Sequence, residues 1–368
     1  MNQEPARAAE VQAGSPSIEA LKLTIYFNEA LRETDGHLVA DHLLAMFEEV
    51  GVRASVLLRC IEGFGAHHRL HTERFENASL NQPVIAVAVD AAAKIEPLVA
   101  RVDKFLPSGL VTMERAWLLP PNPCIGQTLP EVAHGSVKLT VYCGRAERSE
   151  GKPAYQAIIS HLQACRVDGA TAFLGVDGTV HGKRERARFF SRNREVPVMI
   201  IAVGDEEPIT SALPAISVIA DRPVITVEGI QICKRDGQLL DRPRFREEGG
   251  VDRPYWRKLM VHAAGDTHVA GDSLHYQLVE QLRRTGAAGA TSLRGVWGYR
   301  GGGVPHGDSA WSVRRTSPVV TIVIDRDEQM AESWGAIDYL THDAGLVTSE
   351  LVPAHRALAP QRPGETAA

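Results

Sequence analysis

The chain has 368 residues, 44% of them hydrophobic, and a formal net charge of −5. That length can bury a sizeable core and points to roughly two or three domains. The acidic balance gives no bulk attraction to nucleic acid or to an anionic membrane, and no run approaches the roughly 20 apolar residues of a membrane span.

Residues 1–20 lack a basic region followed by an apolar one, so they read as a disordered tail rather than a secretory signal. The five cysteines (Cys60, Cys124, Cys143, Cys165, Cys233) are odd in number and scattered. Without a close pair at metal-like spacing, they fit a reduced, cytoplasmic protein.

After the tail one unit is written three times, over residues 21–119, 137–233 and 256–356. Each copy opens on a short strand: Leu21–Tyr26, Val137–Tyr142 and Arg257–His262. Lys22, Lys138 and Lys258 hold the same place in it. An amphipathic helix follows, with Leu43, Met46, Phe47 and Val50 on one face of the first copy. Tyr155, Ile158, Ile159 and Leu162 match them in the second copy, and Leu278, Val279 and Leu282 in the third.

A second strand covers 55–61, 171–176 and 290–296 and runs into a glycine-bearing loop that differs between copies. The third strand opens on proline and closes on aspartate every time: Pro83–Asp90, Pro197–Asp205 and Pro318–Asp325. A second helix carries Ile95, Leu98, Val99 and Val102, with Met330, Trp334 and Ile337 as third-copy counterparts. Each copy ends on a strand bearing Thr112 and Glu114, Thr226 and Glu228, or Thr348 and Glu350. The order β-α-β-β-α-β is the split βαβ, or ferredoxin-like, α+β arrangement. It leaves one sheet face bare, which three copies can cover by closing on one another as an intramolecular pseudo-trimer. Residues 120–136 and 234–255 read as linkers and 357–368 as a tail.

The stretch Ile61-Glu-Gly-Phe-Gly65, with His71-Thr72 after it, resembles the domain of unknown function 190 family, a branch of the PII-like signalling superfamily. The Pro83–Asp90 strand, Gly109-Leu-Val-Thr112 and their third-copy counterparts add to the match, which is weakest in the second copy. The resemblance implies a trimeric, non-catalytic sensor that holds a nucleotide or other small anion between neighbouring units. It also implies a mobile loop after the second strand that reports to a partner, often a membrane transporter or a channel.

The candidate ligand residues sit on these segments. Gly63 and Gly65 allow close backbone approach to an anion, with Phe64, Arg69, His71 and Thr72 beside them, Gly109 and Thr112 opposite, and Arg294, Gly298 and Thr348 as third-copy equivalents. Arg59 and Arg294 align, and an arginine there can take a phosphate or carboxylate in bidentate fashion. His67, His68 and His71 lack the acidic or cysteine ligand that completes a metal site, so no metal or required cofactor is expected. Arg184, Arg186 and Arg188 make the second loop a basic candidate for docking a partner. No nucleophile elbow and no His-Glu-x-x-His appears, so no catalysis is expected. The resemblance implies a small anionic effector, an adenine nucleotide being one candidate. The alternatives are a docking scaffold that uses the basic loop without a ligand, or a His-based metal binder.

Overall fold

The computed structural model describes residues 17–65, 68–72, 82–121, 129, 135–180, 183–184, 196–245, 255–307 and 316–358. It is a mixed α+β protein with six helices and a large antiparallel sheet among those residues. The first copy runs β1 (Ile18–Asn28), α1 (Val39–Val50), β2 (Ala54–Arg59), β3 (Glu62–Phe64), β4 (Pro83–Ala91), α2 (Ala92–Phe105) and β5 (Gly109–Leu118). The second runs β6 (Ser136–Gly144), α3 (Ala154–Ala164), β7 (Gly169–Leu174), β8 (Asp177–Val180), β9 (Pro197–Asp205), α4 (Glu206–Ile219) and β10 (Val224–Arg235). The third runs β11 (Tyr255–Ala263), α5 (Leu274–Arg284), β12 (Ala290–Arg294), β13 (Trp297–Arg300), β14 (Val319–Asp325), α6 (Asp327–Leu340) and β15 (Leu346–Leu358).

Helix ends follow local chemistry. Gly51 closes α1 in the left-handed conformation at φ 63°, the angle that glycine adopts at least cost. The apolar face of α1 is buried at Leu43, Met46 and Phe47, and that of α5 at Leu278, Val279 and Leu282. Helix α4 is the second copy's second helix, which the repeated β-α-β-β-α-β order implies although its residues were not named from the sequence; Ile209, Leu213 and Ile216 form its buried stripe.

Within the first copy β5 pairs with β1, β1 with β4 and β4 with β2, all antiparallel. The second copy repeats this as β10–β6–β9–β7, and the third as β15–β11–β14–β12. The second strands do not run on as the sequence reading had them. Each stops, and the next two residues change partners: Cys60 N–H donates to Pro83 O at 3.0 Å, while Ile61 N–H donates to Ser292 O of the third copy at 2.9 Å. Gly175 and Val176 do the same toward Pro197 O and Leu57 O, as do Gly295 and Val296 toward Pro318 O and Ala172 O. The chain then resumes as a short strand on a neighbouring copy. Thus β3 pairs with β12, β8 with β2 and β13 with β7.

The fourth strands are linked as well, since β5 pairs with β10, β10 with β15 and β15 with β5. These extensions move the copy boundaries: β1 begins at Ile18, β10 runs to Arg235 and β15 to Leu358, so limits at 21, 233 and 356 cut through strands.

Four apolar cores result. Three lie between a copy's helices and its own sheet. The fourth joins the opposite sheet faces of all three copies, with Val56, Leu58 and Val87 meeting Phe173, Met199 and Ile201, and Met260, Leu293 and Ile322. Burial on this face holds the copies together, at roughly 25 cal/mol per Å² of apolar surface removed from water.

Candidate functional site

The recurrent lysines and glutamates converge inside the shared core. Lys22 Nζ lies 2.7 Å from Glu228 and 2.9 Å from Glu114. Lys138 Nζ is 2.6 Å from Glu350 and 2.8 Å from Glu228, and Lys258 Nζ is 2.9 Å from Glu114 and 3.2 Å from Glu350. All six side chains are buried. Thr24 and Thr112 hydroxyls donate to Glu114 at 3.3 and 3.2 Å. The carboxylate oxygens lie within 4.8 Å of one another, a spacing open to a cation, but three ammonium groups already neutralise them. The cluster holds the copies in register.

Burial opposes charge at Glu114 and Glu350, but the neighbouring ammonium groups outweigh it. Lys22 and Lys258 hold Glu114 well below the usual carboxylate range, and Lys138 and Lys258 hold Glu350 below it. Because these folded-state values are depressed, the stability they confer is present above the unfolded pKa of about 4.3 and is lost as pH falls through the lower folded values. Urea midpoints are therefore expected to be flat near neutrality and to drop below about pH 4.5. In Glu114→Gln that acid limb becomes shallower.

The cleft with a ligand's dimensions lies elsewhere, between the first and third copies. It has a volume of about 600 Å³, within the range of small-molecule pockets. Tyr26, Phe27, Phe64 and Trp256 supply aromatic walls. Gly65, Gly109, Gly289 and Ala288 supply close backbone, and Arg69, His68 and His71 the ionisable groups; no Asp or Glu lines it among the described residues. His68 stacks on Phe64 with centroids 5.7 Å apart. Burial, and secondarily the charge of Arg69, lowers the His71 pKa, leaving Arg69 as the fixed cation. Gly109 needs its missing side chain, since it sits at φ 143° and a Cβ would fall 2.6 Å from Tyr26 O.

The structure therefore gathers Phe64, Gly65, Arg69, His71 and Gly109 from the sequence-predicted set and sends the others elsewhere. Arg59 does not line the cleft; its Nε donates to Glu29 Oε2 at 3.0 Å, and its charge is met there. Gly63 is a joint residue, not part of an anion nest: a Cβ on it would lie 2.7 Å from Ala290 O. Gly298 plays the same part on the second copy, 2.4 Å from Ala170 O. Thr72 is buried opposite Glu62, while Thr112 and Thr348 are buried on the fourth strands. Arg294 ends β12 outside the cleft lining.

Arg184 is not a free docking cation, because its guanidinium binds Asp177 at 2.7 and 3.0 Å. Arg186, Arg188 and His67 lie outside the described residues. Sequence reasoning missed Trp256 and Ala288–Gly289. These belong to the third copy but line a cleft shared with the first, and Ala288–Gly289 come there through the β3–β12 pairing.

The DUF190 family model, described as "Uncharacterized ACR", matches residues 20–118, 136–232 and 256–354. The chain belongs to the DUF190 family. It carries three tandem copies of the family's domain, and the candidate cleft is built from the first and third of them. No helix among the described residues is long and apolar enough to cross a membrane.

Proposed function

We propose that this DUF190 chain is a PII-like, non-enzymatic sensor. Its three ferredoxin-like domains close as an intramolecular pseudo-trimer and bind a small anion bearing an aromatic ring, of the adenine-nucleotide class, between domains one and three. The strand order fourth–first–third–second within each copy, and the cyclic pairing of copies, support the architecture. The observation that carries the ligand class is the cleft lining: four aromatic rings and Arg69 with no carboxylate among the described residues. Aromatic walls accept a base by stacking, and Arg69, beside open space where Gly65 lacks a side chain, suits a phosphate. Occupancy would then alter the surface offered to a partner, a membrane transporter or channel in this reading.

Calorimetric titration of the full chain with AMP, ADP, ATP and cyclic AMP, with and without Mg²⁺, tests the proposal. Saturable binding is expected. Arg69→Ala should weaken it by about tenfold or more, the worth of one charged hydrogen bond, and Gly65→Val should abolish it by filling the cleft. Flat titrations of the folded chain overturn the nucleotide reading in favour of a docking scaffold.

A further inference from the structure

The cleft between the second and third copies is the counterpart of the open one, and the chain itself sits in it. Tyr299 opposes Ala170 as Phe64 opposes Ala290, so Arg300 takes the place of Gly65, and Asp168 that of Ala288. Both substitutions introduce a charge, and both charges are answered by one turn at the end of β10. Arg300 Nη1 donates to Asp236 Oδ1 at 3.0 Å, and Arg235 Nη2 donates to Asp168 Oδ2 at 2.7 Å. Arg235 also reaches Asp205 at 3.0 Å.

The turn is closed by pairing of Lys234 with Leu239 and has left-handed φ of 49° at Asp236 and 84° at Gly237. Gly237 N–H donates to Gly345 O at 3.0 Å, and Gly345 is the counterpart of the cleft residue Gly109. A Cβ on Gly237 would lie 2.5 Å from His342 O, so the turn is seated to contact distance. The Asp236 carboxylate rests over Gly301, where a side-chain carbon would come within 2.7 Å of it.

We propose that the Arg235–Gly237 turn is a built-in occupant of the cleft between the second and third copies. Its Asp236 carboxylate takes the position of an effector's anionic group, and the turn closes that cleft to a free ligand. The statement about the turn stands on geometry; calling it an effector surrogate rests on the reading of the clefts as anion sites. Each lining charge meets an opposite charge on the turn, Asp168 with Arg235 and Arg300 with Asp236, as expected for a cleft fitted to a piece of its own chain. A built-in occupant has no translational entropy left to lose, so it excludes a diffusing ligand that makes similar contacts.

Two measurements test this and separate it from the function proposed above. Amide exchange of the full chain reads the turn without any ligand. A seated turn slows exchange at Gly237 by at least about tenfold against the free-peptide rate, and ATP leaves that protection unchanged. Free-peptide exchange, or loss of protection on adding ATP, overturns the proposal even if the chain binds no nucleotide. In titration with ATP, Arg300→Ala should leave the wild-type isotherm unchanged. Asp168→Ala/Asp236→Ala, which removes both ion pairs that pin the turn and leaves no carboxylate at either position, should gain one site, which disappears when Arg300→Ala is added. A wild-type site removed by Arg300→Ala, or no gained site in a double variant that still unfolds cooperatively, refutes the surrogate assignment. Flat wild-type titrations with a protected Gly237 refute instead the nucleotide reading.

Discussion

Lys138→Met is expected to destabilise the chain by about 3–5 kcal/mol, the cost of removing one partner from a buried ion pair. Lys138 is 1% exposed and lies closest to Glu350 and Glu228, with Glu114 at 3.7 Å. Its loss leaves three glutamates facing two lysines in a buried site. The surplus carboxyl then takes up a proton or draws water into the core, and either costs free energy. Urea unfolding near neutral pH reads the loss as a lower midpoint at unchanged slope. The diagnostic second variant is Lys138→Met/Glu350→Leu, which removes a charge of each sign together. It should recover a large part of the loss, because an apolar pair of similar volume is often no worse than a buried ion pair. A double variant as unstable as the single one would show that Lys138 acts through packing alone. Lys22 and Lys258 hold matching places, so their methionine variants should behave alike.

The periodicity of the fold was open to reading because local chemistry repeats it. Proline-opened strands, helices with apolar positions three and four apart, and Lys and Glu at fixed offsets all lie within single copies. What those lysines and glutamates do was not open to reading. Lys22 meets Glu228, 206 residues away, and no local pattern marks such a pair. The break in the second strands was hidden for a similar reason. Cys60 and Ile61 are apolar and look like two more strand residues, yet they are where the chain leaves its own sheet for the third copy. Arg59 misled in the other direction. Its alignment with Arg294 suggested a ligand contact, whereas Glu29 at the turn after β1 already holds it.

Half of the candidate cleft follows from the sequence of the first copy, because Phe64, Gly65, Arg69, His71 and Gly109 lie on segments that resemble the family. The other half belongs to the third copy and depends on which copy pairs with which. Sequence carries that choice only in the charges of the Arg235–Gly237 turn and of its partners Asp168 and Arg300, which make sense once their pairing is seen.

Gly178→Val should cost about 3 kcal/mol or more, combining backbone strain of roughly 1–3 kcal/mol with overpacking of similar size. Gly178 sits at φ 153° in β8, and a Cβ on it would come 2.3 Å from Ser55 O and 2.9 Å from Val56 Cα. Both are backbone atoms of β2, so no side chain can swing aside. The variant must either push the second copy off the first or flatten a backbone angle that L-residues avoid. Gly65→Val is the control. No atom lies within 4 Å of a Cβ there, so its unfolding midpoint should stay within about 0.5 kcal/mol of the parent while its ligand binding is lost. The two glycines lie on corresponding hairpins, two positions apart in the repeat. If both variants lose stability equally, glycine at these hairpins serves folding alone and the cleft at Gly65 is not a reserved space. If stability falls only in Gly178→Val and binding only in Gly65→Val, the repeat has divided its glycines between holding the copies together and leaving room for a ligand.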